Sequence, residues 1–95
     1  MKKYEIMYII KPNLESEQIK QIIDRLTQIL LDQKAEIIEY KEIGLKELAY
    51  EIEHFNRGYY VWQNIVASNE AIDEFNRVVR IIEDVLRFIV VKDER

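Results

Sequence analysis

Apolar and polar side chains alternate at the start of the chain. Tyr4, Ile6 and Tyr8 occupy every second position, and this period of two predicts a β-strand over residues 3–10. Pro12 ends the strand, because proline has no N–H group to donate to a neighbouring strand. One face of the strand is therefore strongly apolar and requires a core to cover it.

After this turn the spacing of apolar residues becomes helical. Ser16 is the predicted N-cap, and the helix is expected to end near Gln33. The apolar residues at helical spacing are Ile19, Ile22, Ile23, Leu26, Ile29 and Leu30. The pattern predicts an amphipathic helix with one buried face.

A long strand and a hairpin follow. Residues 35–52 predict the strand, and Gly44 together with the adjacent pair Ile37–Ile38 predicts a bulge or a change of twist within it. The turn is predicted at residues 54–58, and the returning strand at residues 59–67.

The last third of the chain repeats the order of helix and strand. Ser68 or Asn69 is the predicted N-cap of a second helix. Its expected buried stripe is Ile72, Phe75, Val79 and Ile82. Residues 86–91 alternate and predict a final strand, and the polar residues 92–95 are expected to form a loose tail.

The element order is strand, helix, strand, strand, helix, strand. Two strand-helix-strand units joined by a hairpin predict the α+β, ferredoxin-like βαββαβ fold. In this fold a four-stranded antiparallel sheet carries both helices on one face. We expect residues 1–95 to form a single domain, since the chain shows no linker, repeat or low-complexity segment.

The sheet face opposite the helices is the candidate functional surface, and we call it the open face. Alternation places on it Met7, Ile9, Tyr60, Trp62, Ile89 and Val91. A contiguous apolar patch with aromatic residues is typical of a surface that docks a partner. A sheet that associates with itself, or a face covered by the C-terminal tail, is the alternative.

RNA-recognition domains share this fold and stack bases on aromatic side chains of the central strands. Residues 57–62 partly resemble the signature of their third strand, but Tyr60 stands where that signature has glycine or alanine. The first strand presents Glu5 and Met7 outward rather than aromatic rings. A stand-alone RRM-like module that binds single-stranded nucleic acid is therefore the alternative function.

The charge of the chain is uneven. Its net charge is −4, which argues against nucleic-acid binding by a uniformly basic body. Residues 12–55 hold ten acidic and five basic side chains, a balance of −5, whereas the remainder holds eight acidic and nine basic, a balance of +1. A folded chain can gather its basic side chains on one side.

The sequence offers no catalytic constellation. It has no cysteine and a single histidine, His54, so neither a thiolate site nor a zinc site with two histidines is expected. Gly44 and Gly58 stand singly and form no phosphate-binding loop. We expect no enzymatic activity, no cofactor, no metal and no small-molecule substrate. No apolar run is long enough to span a bilayer, so a cytoplasmic protein that does not bind membranes is expected.

Five short segments are specific in their order and spacing: residues 4–9, 11–13, 44–50, 58–62 and 87–92. Through them the sequence resembles the family of ribosomal protein six of the bacterial small subunit over essentially its whole length. The resemblance implies the ferredoxin-like fold and a structural role on the ribosome. It also implies binding to the central domain of 16S ribosomal RNA as a heterodimer with ribosomal protein eighteen.

The resemblance also guides the choice of contact residues. The family often has consecutive basic residues after the glycine of the long strand, whereas this chain has Leu45, Lys46 and Glu47. RNA contacts are therefore expected mainly near the chain ends, at Lys2, Arg80, Arg87 and Lys92. Partner contacts are expected on the open face and the strand edge, at Met7, Lys46, Tyr60, Trp62, Ile89 and Val91.

Overall fold

The fold follows the predicted order of elements. The structure is a computed structural model that describes residues 1–93. Its first half contains β1 (Lys2–Ile10), α1 (Ser16–Asp32) and β2 (Glu36–Ile52). Its second half contains β3 (Phe55–Ala67), α2 (Asn69–Val79) and β4 (Val85–Asp93). The expected βαββαβ sequence is confirmed.

The four strands form one antiparallel sheet in the order β2-β3-β1-β4. The central strand β1 pairs with β3 on one side and with β4 on the other. The two strand-helix-strand units therefore interleave, as the ferredoxin-like fold requires. The prediction of a four-stranded antiparallel sheet with both helices on one face is confirmed.

The core lies between the helices and one face of the sheet. Ile6, Tyr8 and Ile10 of β1 are fully buried there, and the Tyr8 ring lies 6.4 Å from the ring of Phe75 on α2. Burying one side chain of this size stabilises the fold by about 1.5–3 kcal/mol. The Tyr4 hydroxyl also donates a hydrogen bond of 2.9 Å to Asn69, which fixes the start of α2 against β1.

The two helices begin in different ways. The N-cap of α1 is Glu15 rather than the predicted Ser16, and its backbone N–H donates to the Gln18 side chain at 3.0 Å. This reciprocal arrangement is a capping box, in which the side chain at the third helical position replaces the missing backbone acceptor. At α2 the Ser68 hydroxyl accepts from the Ala71 N–H, so Ser68 is the cap, one of the two predicted residues.

The strand β2 is irregular at the predicted places. Its register against β3 shifts between Ile37 and Glu39 and again between Glu42 and Gly44. Gly44 has a φ of 93°, a conformation that side chains with a Cβ rarely adopt. The predicted bulges are thereby confirmed, and each one increases the local twist of the strand.

The predicted turn at residues 54–58 is wrong. Ile52 pairs with Phe55, so the hairpin turn consists of Glu53 and His54, and β3 begins earlier than expected. Glu53 has a φ of 48° and His54 a φ of 71°. Two successive positive φ values are typical of the type I′ turn, whose twist matches that of paired strands. The prediction failed because Asn56 and Gly58 look like turn residues but lie within the strand.

Two further boundaries differ from the prediction. Helix α2 ends at Val79, and Ile82 is buried from the turn that follows rather than from the helix stripe. Lys92 and Asp93, which were expected in a loose tail, pair with β1 as the end of β4. The remaining tail residues of that prediction, Glu94 and Arg95, lie outside the described residues.

The hairpin turn provides a test of this geometry. Replacing Glu53 with Asn and His54 with Gly installs the pair that favours a type I′ turn. Because a positive φ is costly for side chains other than Gly and Asn, we expect the double variant to raise the free energy of unfolding by about 1 kcal/mol. Urea denaturation measures the change. His54→Ala keeps the strain and should give no gain; equal stabilisation by His54→Ala would contradict the turn assignment.

Candidate docking face

Strand register brings the predicted partner residues together on the open face. Met7 lies opposite Trp62 of β3 and opposite Ile89 of β4, and Ile9 lies opposite Tyr60. Residues directly opposite one another in an antiparallel pair share a face of the sheet. The side chain of Ile89 is 58% exposed, so water still reaches this apolar cluster.

The two remaining predicted partner residues complete the face at its ends. Val91 lies opposite Glu5 and is 52% exposed, and Lys46 lies opposite Gly58 of β3. All six predicted partner residues therefore occupy the same side of the sheet, away from the helices.

Trp62 is held in place at the centre of the open face. Its indole Nε1 donates a hydrogen bond of 3.0 Å to the Glu5 carboxylate on the neighbouring strand. Asn64 lies directly opposite Glu5, and its side-chain oxygen is buried without a hydrogen-bond partner among residues 1–93. The accessible face therefore combines a fixed aromatic ring with a carboxylate, a combination typical of a surface with hydrogen-bond specificity.

The end of β2 covers part of the open face, which the sequence did not predict. The Arg87 guanidinium of β4 lies 5.7 Å from the centre of the Tyr50 ring, although β2 and β4 are the two outer strands of the sheet. A pocket of about 270 Å³ separates this segment from the sheet, and Ile9, Tyr60 and Ile89 are among the residues lining it. The open face thus has a covered end and an uncovered end around Trp62.

The extra length of β2 makes this cover possible. Glu47 pairs with Arg57, but the next pair is Ile52 with Phe55, so four residues of β2 face a single residue of β3. This excess lets residues 48–51 leave the sheet plane and turn across the open face. The predicted strands, residues 35–52 and 59–67, were already unequal in length, but the cover was not inferred from that inequality.

Two of the predicted RNA-contact residues form a pair. Lys2 lies at one end of β1, and Lys92 lies opposite Tyr4 on β4, so both share the sheet side that carries the helices. A hydrogen-bonding interaction with Lys92 and the repulsion between the two ammonium groups lower the pKa of Lys2. Two neighbouring ammonium groups create a local positive potential that attracts an anion.

The other two predicted RNA-contact residues lie elsewhere. Arg80 is the C-cap of α2, whereas Lys2 and Lys92 lie at the end of the sheet where β3 leads into the start of that helix. Arg87 lies on the open face against Tyr50. The structure therefore distributes the four residues over three places.

The remaining chemistry is sparse. Within residues 1–93 no group of His, Asp and Glu side chains is arranged to hold a metal ion. The His54 side chain is 97% exposed at the hairpin turn, 3.5 Å from the Glu51 carboxylate. No helix in the described part of the chain is long and apolar enough to cross a membrane.

Gly58 is the position at which residues 48–51 of β2 approach the open face of the sheet. A Cβ on Gly58 would collide with the Ile9 side chain and would meet Leu48 Cδ2 at 3.4 Å. We expect Gly58→Ala to lower the free energy of unfolding by about 1–3 kcal/mol through overpacking. A double-mutant cycle with Ile9→Ala, followed by urea denaturation, should give a loss smaller than the sum of the two single losses. Strictly additive losses would show that the close approach is absent.

Comparison with known proteins agrees with this geometry. The family described as Ribosomal protein S6 matches residues 3–92. The chain is 51% identical over 94 residues to the Small ribosomal subunit protein bS6 of Aster yellows witches'-broom phytoplasma, with 99% of each chain covered. It is 53% identical over 95 residues to the protein of the same name from Shouchella clausii, with 100% of each covered.

A solved structure shows the same architecture. The 30S ribosomal protein S6 of Thermotoga maritima superposes with a TM-score of 0.92 at 26% identity, covering 97% of this chain and 87% of that one. Because the family match and the two relatives each span almost the whole sequence, the chain belongs to the Ribosomal protein S6 family of the small ribosomal subunit.

Proposed function

We propose that this protein is a structural constituent of the small ribosomal subunit that binds the central domain of 16S ribosomal RNA jointly with ribosomal protein eighteen. It acts in the cytoplasm as one half of a heterodimer, without catalysis, cofactor or small-molecule substrate. The observation that carries the proposal is the uncovered apolar surface around Trp62 on a chain that belongs to a ribosomal protein family.

The partner docks on the uncovered end of the open face. Met7 lies directly opposite Trp62 there, and Ile89 and Val91 lie on the same face one strand further on. Trp is the residue type that most often dominates interface energy. The hydrogen bond from Trp62 to Glu5 fixes the ring before binding, so little conformational freedom is lost on association.

The charge of the chain favours joint binding over binding alone. A net charge of −4 opposes approach to a phosphate backbone, whose neutralisation supplies much of the affinity of RNA-binding proteins. A basic partner contributes the missing positive charge, and its attraction to the acidic residues of this chain favours the heterodimer.

The RNA contacts of this chain are confined to a few basic side chains. The paired ammonium groups of Lys2 and Lys92 repel each other, and a phosphate placed between them removes that repulsion. Arg87 lies beside the docking surface, so it reaches RNA that runs along the edge of the partner. Arg80 adds a separate contact at the end of α2.

A binding assay with and without the partner tests the proposal. We expect a central-domain 16S fragment to be bound tightly only when both proteins are present. In the same assay Trp62→Ala should weaken heterodimer formation by about 2 kcal/mol or more, because it removes the central ring. Ile81→Ala is the matched control, since Ile81 is an exposed apolar residue, 62% accessible, outside the open face.

The outcomes of this assay separate the competing functions. Tight RNA binding by this chain alone would support the RRM-like module instead. No binding with the partner present would reject the proposed function. Unchanged partner affinity in a folded Trp62→Ala variant would reject the docking face while leaving the family membership intact.

A salt titration tests the lysine pair. Replacing Lys2 and Lys92 together with Gln should reduce the slope of log K against log salt by about two units, because two phosphate contacts are lost. The control is Arg25→Gln with Lys34→Gln, which removes the same charge from exposed positions on or just after α1. Equal reductions in both double variants would show a general charge effect rather than contacts at the lysine pair.

A further inference from the structure

The two edges of the sheet differ in regularity. The outer strands are β2 and β4, and within residues 1–93 no further strand pairs with the outer edge of either. The register of β2 shifts at three places, and bulges of this kind keep an edge strand from accepting another strand. By contrast, β4 pairs with β1 without a shift from Arg87 to Asp93. Strand β4 therefore presents a straight outer edge.

Apolar side chains are exposed along this edge. Ile89 and Val91 belong to the exposed large apolar residues, and they lie two positions apart on β4, so both point to the open face. Because β4 is the outermost strand, β1 covers only one flank of each side chain. A further strand along the edge would cover the other flank.

The apolar residues of β4 are complementary to a second, antiparallel copy of the same strand. When Val90 of one copy lies opposite Val90 of the other, Ile89 lies opposite Val91 on the open face. Phe88 then lies opposite Lys92 on the helix-covered face, where an ammonium group is attracted to an aromatic ring. Residues opposite one another share a face of the sheet, so this register buries apolar side chains against each other.

The charges match in the same register. Arg87 lies opposite Asp93 of the second copy on the open face, and the two-fold symmetry forms this pair twice. The Tyr50 ring lies against the face of the Arg87 guanidinium, which leaves N–H groups at the edge of the guanidinium to donate to a carboxylate. Lys3 of β1 lies opposite Asp93 within the chain, so the carboxylate would lie between two cations.

Neighbouring registers lose this ion pair. Moving the two-fold centre to Ile89 places Arg87 opposite Val91, and moving it to Val91 places Asp93 opposite Ile89. A centre between two residues would place opposite residues on different faces of the sheet, which an antiparallel pair does not allow. The register centred at Val90 is therefore the one in which opposite charges meet.

We propose that β4 pairs antiparallel with β4 of a second copy of this chain, with the two-fold axis at Val90. The pairing joins two sheets into one sheet of eight strands that carries all the helices on one face. Its contacts are confined to one short strand of each copy, so the dimer is weak and depends on concentration. The inference rests on the register of β4 and not on the proposed function.

Charge reversal tests the register. Arg87→Asp and Asp93→Arg each place like charges opposite one another, so each variant should weaken self-association about tenfold or more. An equimolar mixture of the two variants should associate again, because both contacts of the mixed dimer then join opposite charges. Sedimentation equilibrium of the chain alone, over a range of concentrations at low salt, measures the dimer, and circular dichroism checks the fold of each variant.

The control pair makes the same changes of charge away from the edge. Arg25→Asp on α1 and Asp73→Arg on α2 alter exposed side chains on the other layer of the fold. Each should leave self-association unchanged, and their mixture should associate no more strongly than either variant alone. This comparison separates the proposed register from a general attraction between oppositely charged proteins.

A disulfide tests the two-fold centre without altering charge. The chain has no cysteine, so Val90→Cys introduces a single thiol. Residues directly opposite in an antiparallel pair have Cα atoms about 4.5–5.5 Å apart, a separation that a disulfide spans. Under mild oxidation Val90→Cys should form a covalent dimer readily. Val85→Cys places the thiol at the far end of the same strand, also half-buried, and should not cross-link.

Four results overturn the proposal. They are the absence of a dimer of the unaltered chain at millimolar concentration, a mixture of Arg87→Asp and Asp93→Arg that associates no more strongly than either variant, equal effects in the control pair, and equal cross-linking of Val90→Cys and Val85→Cys. None of these experiments contains RNA or another protein, so their failure leaves the proposed function untouched.

Discussion

The central strand β1 is apolar on both faces, and two helices can cover only one of them. Ile6 and Tyr8 point into the helix-covered core with no exposure, while Met7 and Ile9 point the other way on alternate positions. A strand with polar residues on its outer face would leave a self-sufficient monomer. The apolar character of Met7 and Ile9 therefore creates a second surface that requires cover from elsewhere.

The chain supplies part of that cover itself. Residues 48–51 turn across the sheet because β2 is longer than its partner strand, and Gly58 lets Leu48 approach Ile9 without a Cβ between them. The contact of Tyr50 with Arg87 ties the segment to the far edge of the sheet. Within residues 1–93 the region around Trp62 stays uncovered, so the shape of the candidate docking face is set by the hairpin as well as by the sheet.

The architecture could be predicted because the apolar residues of each helix and strand recur with the period of that element. The alternation in β1 and the helical spacing in α1 leave few competing folds once the connections are short. The hairpin turn could not be predicted, because Glu53 and His54 adopt positive φ values through strand pairing rather than through intrinsic preference. Gly58 was misread as a turn residue, because it allows close packing within a strand and only the tertiary structure reveals that packing.

The candidate site was predictable in part. The alternation of side chains along each strand correctly placed Met7 and Trp62 on the same face, because this prediction needs only a count of positions. The same count would have placed Lys92 on the side of Tyr4, away from the docking face. The cover by residues 48–51 depends instead on a register shift, which a single sequence does not encode as a local signal.

The helix-covered face shows a different departure from the expected pattern. Val61 and Ile65 of β3 are apolar and fully buried, yet Gln63 between them is equally buried and holds an oxygen without a partner. Stability alone would favour an apolar residue there, because an unpaired polar group costs more than its packing returns. The Gln63 amide instead reaches Thr27 of α1 at 3.5 Å and lies beside the Tyr8 hydroxyl, so this polar group links β3 to α1 within an otherwise apolar core.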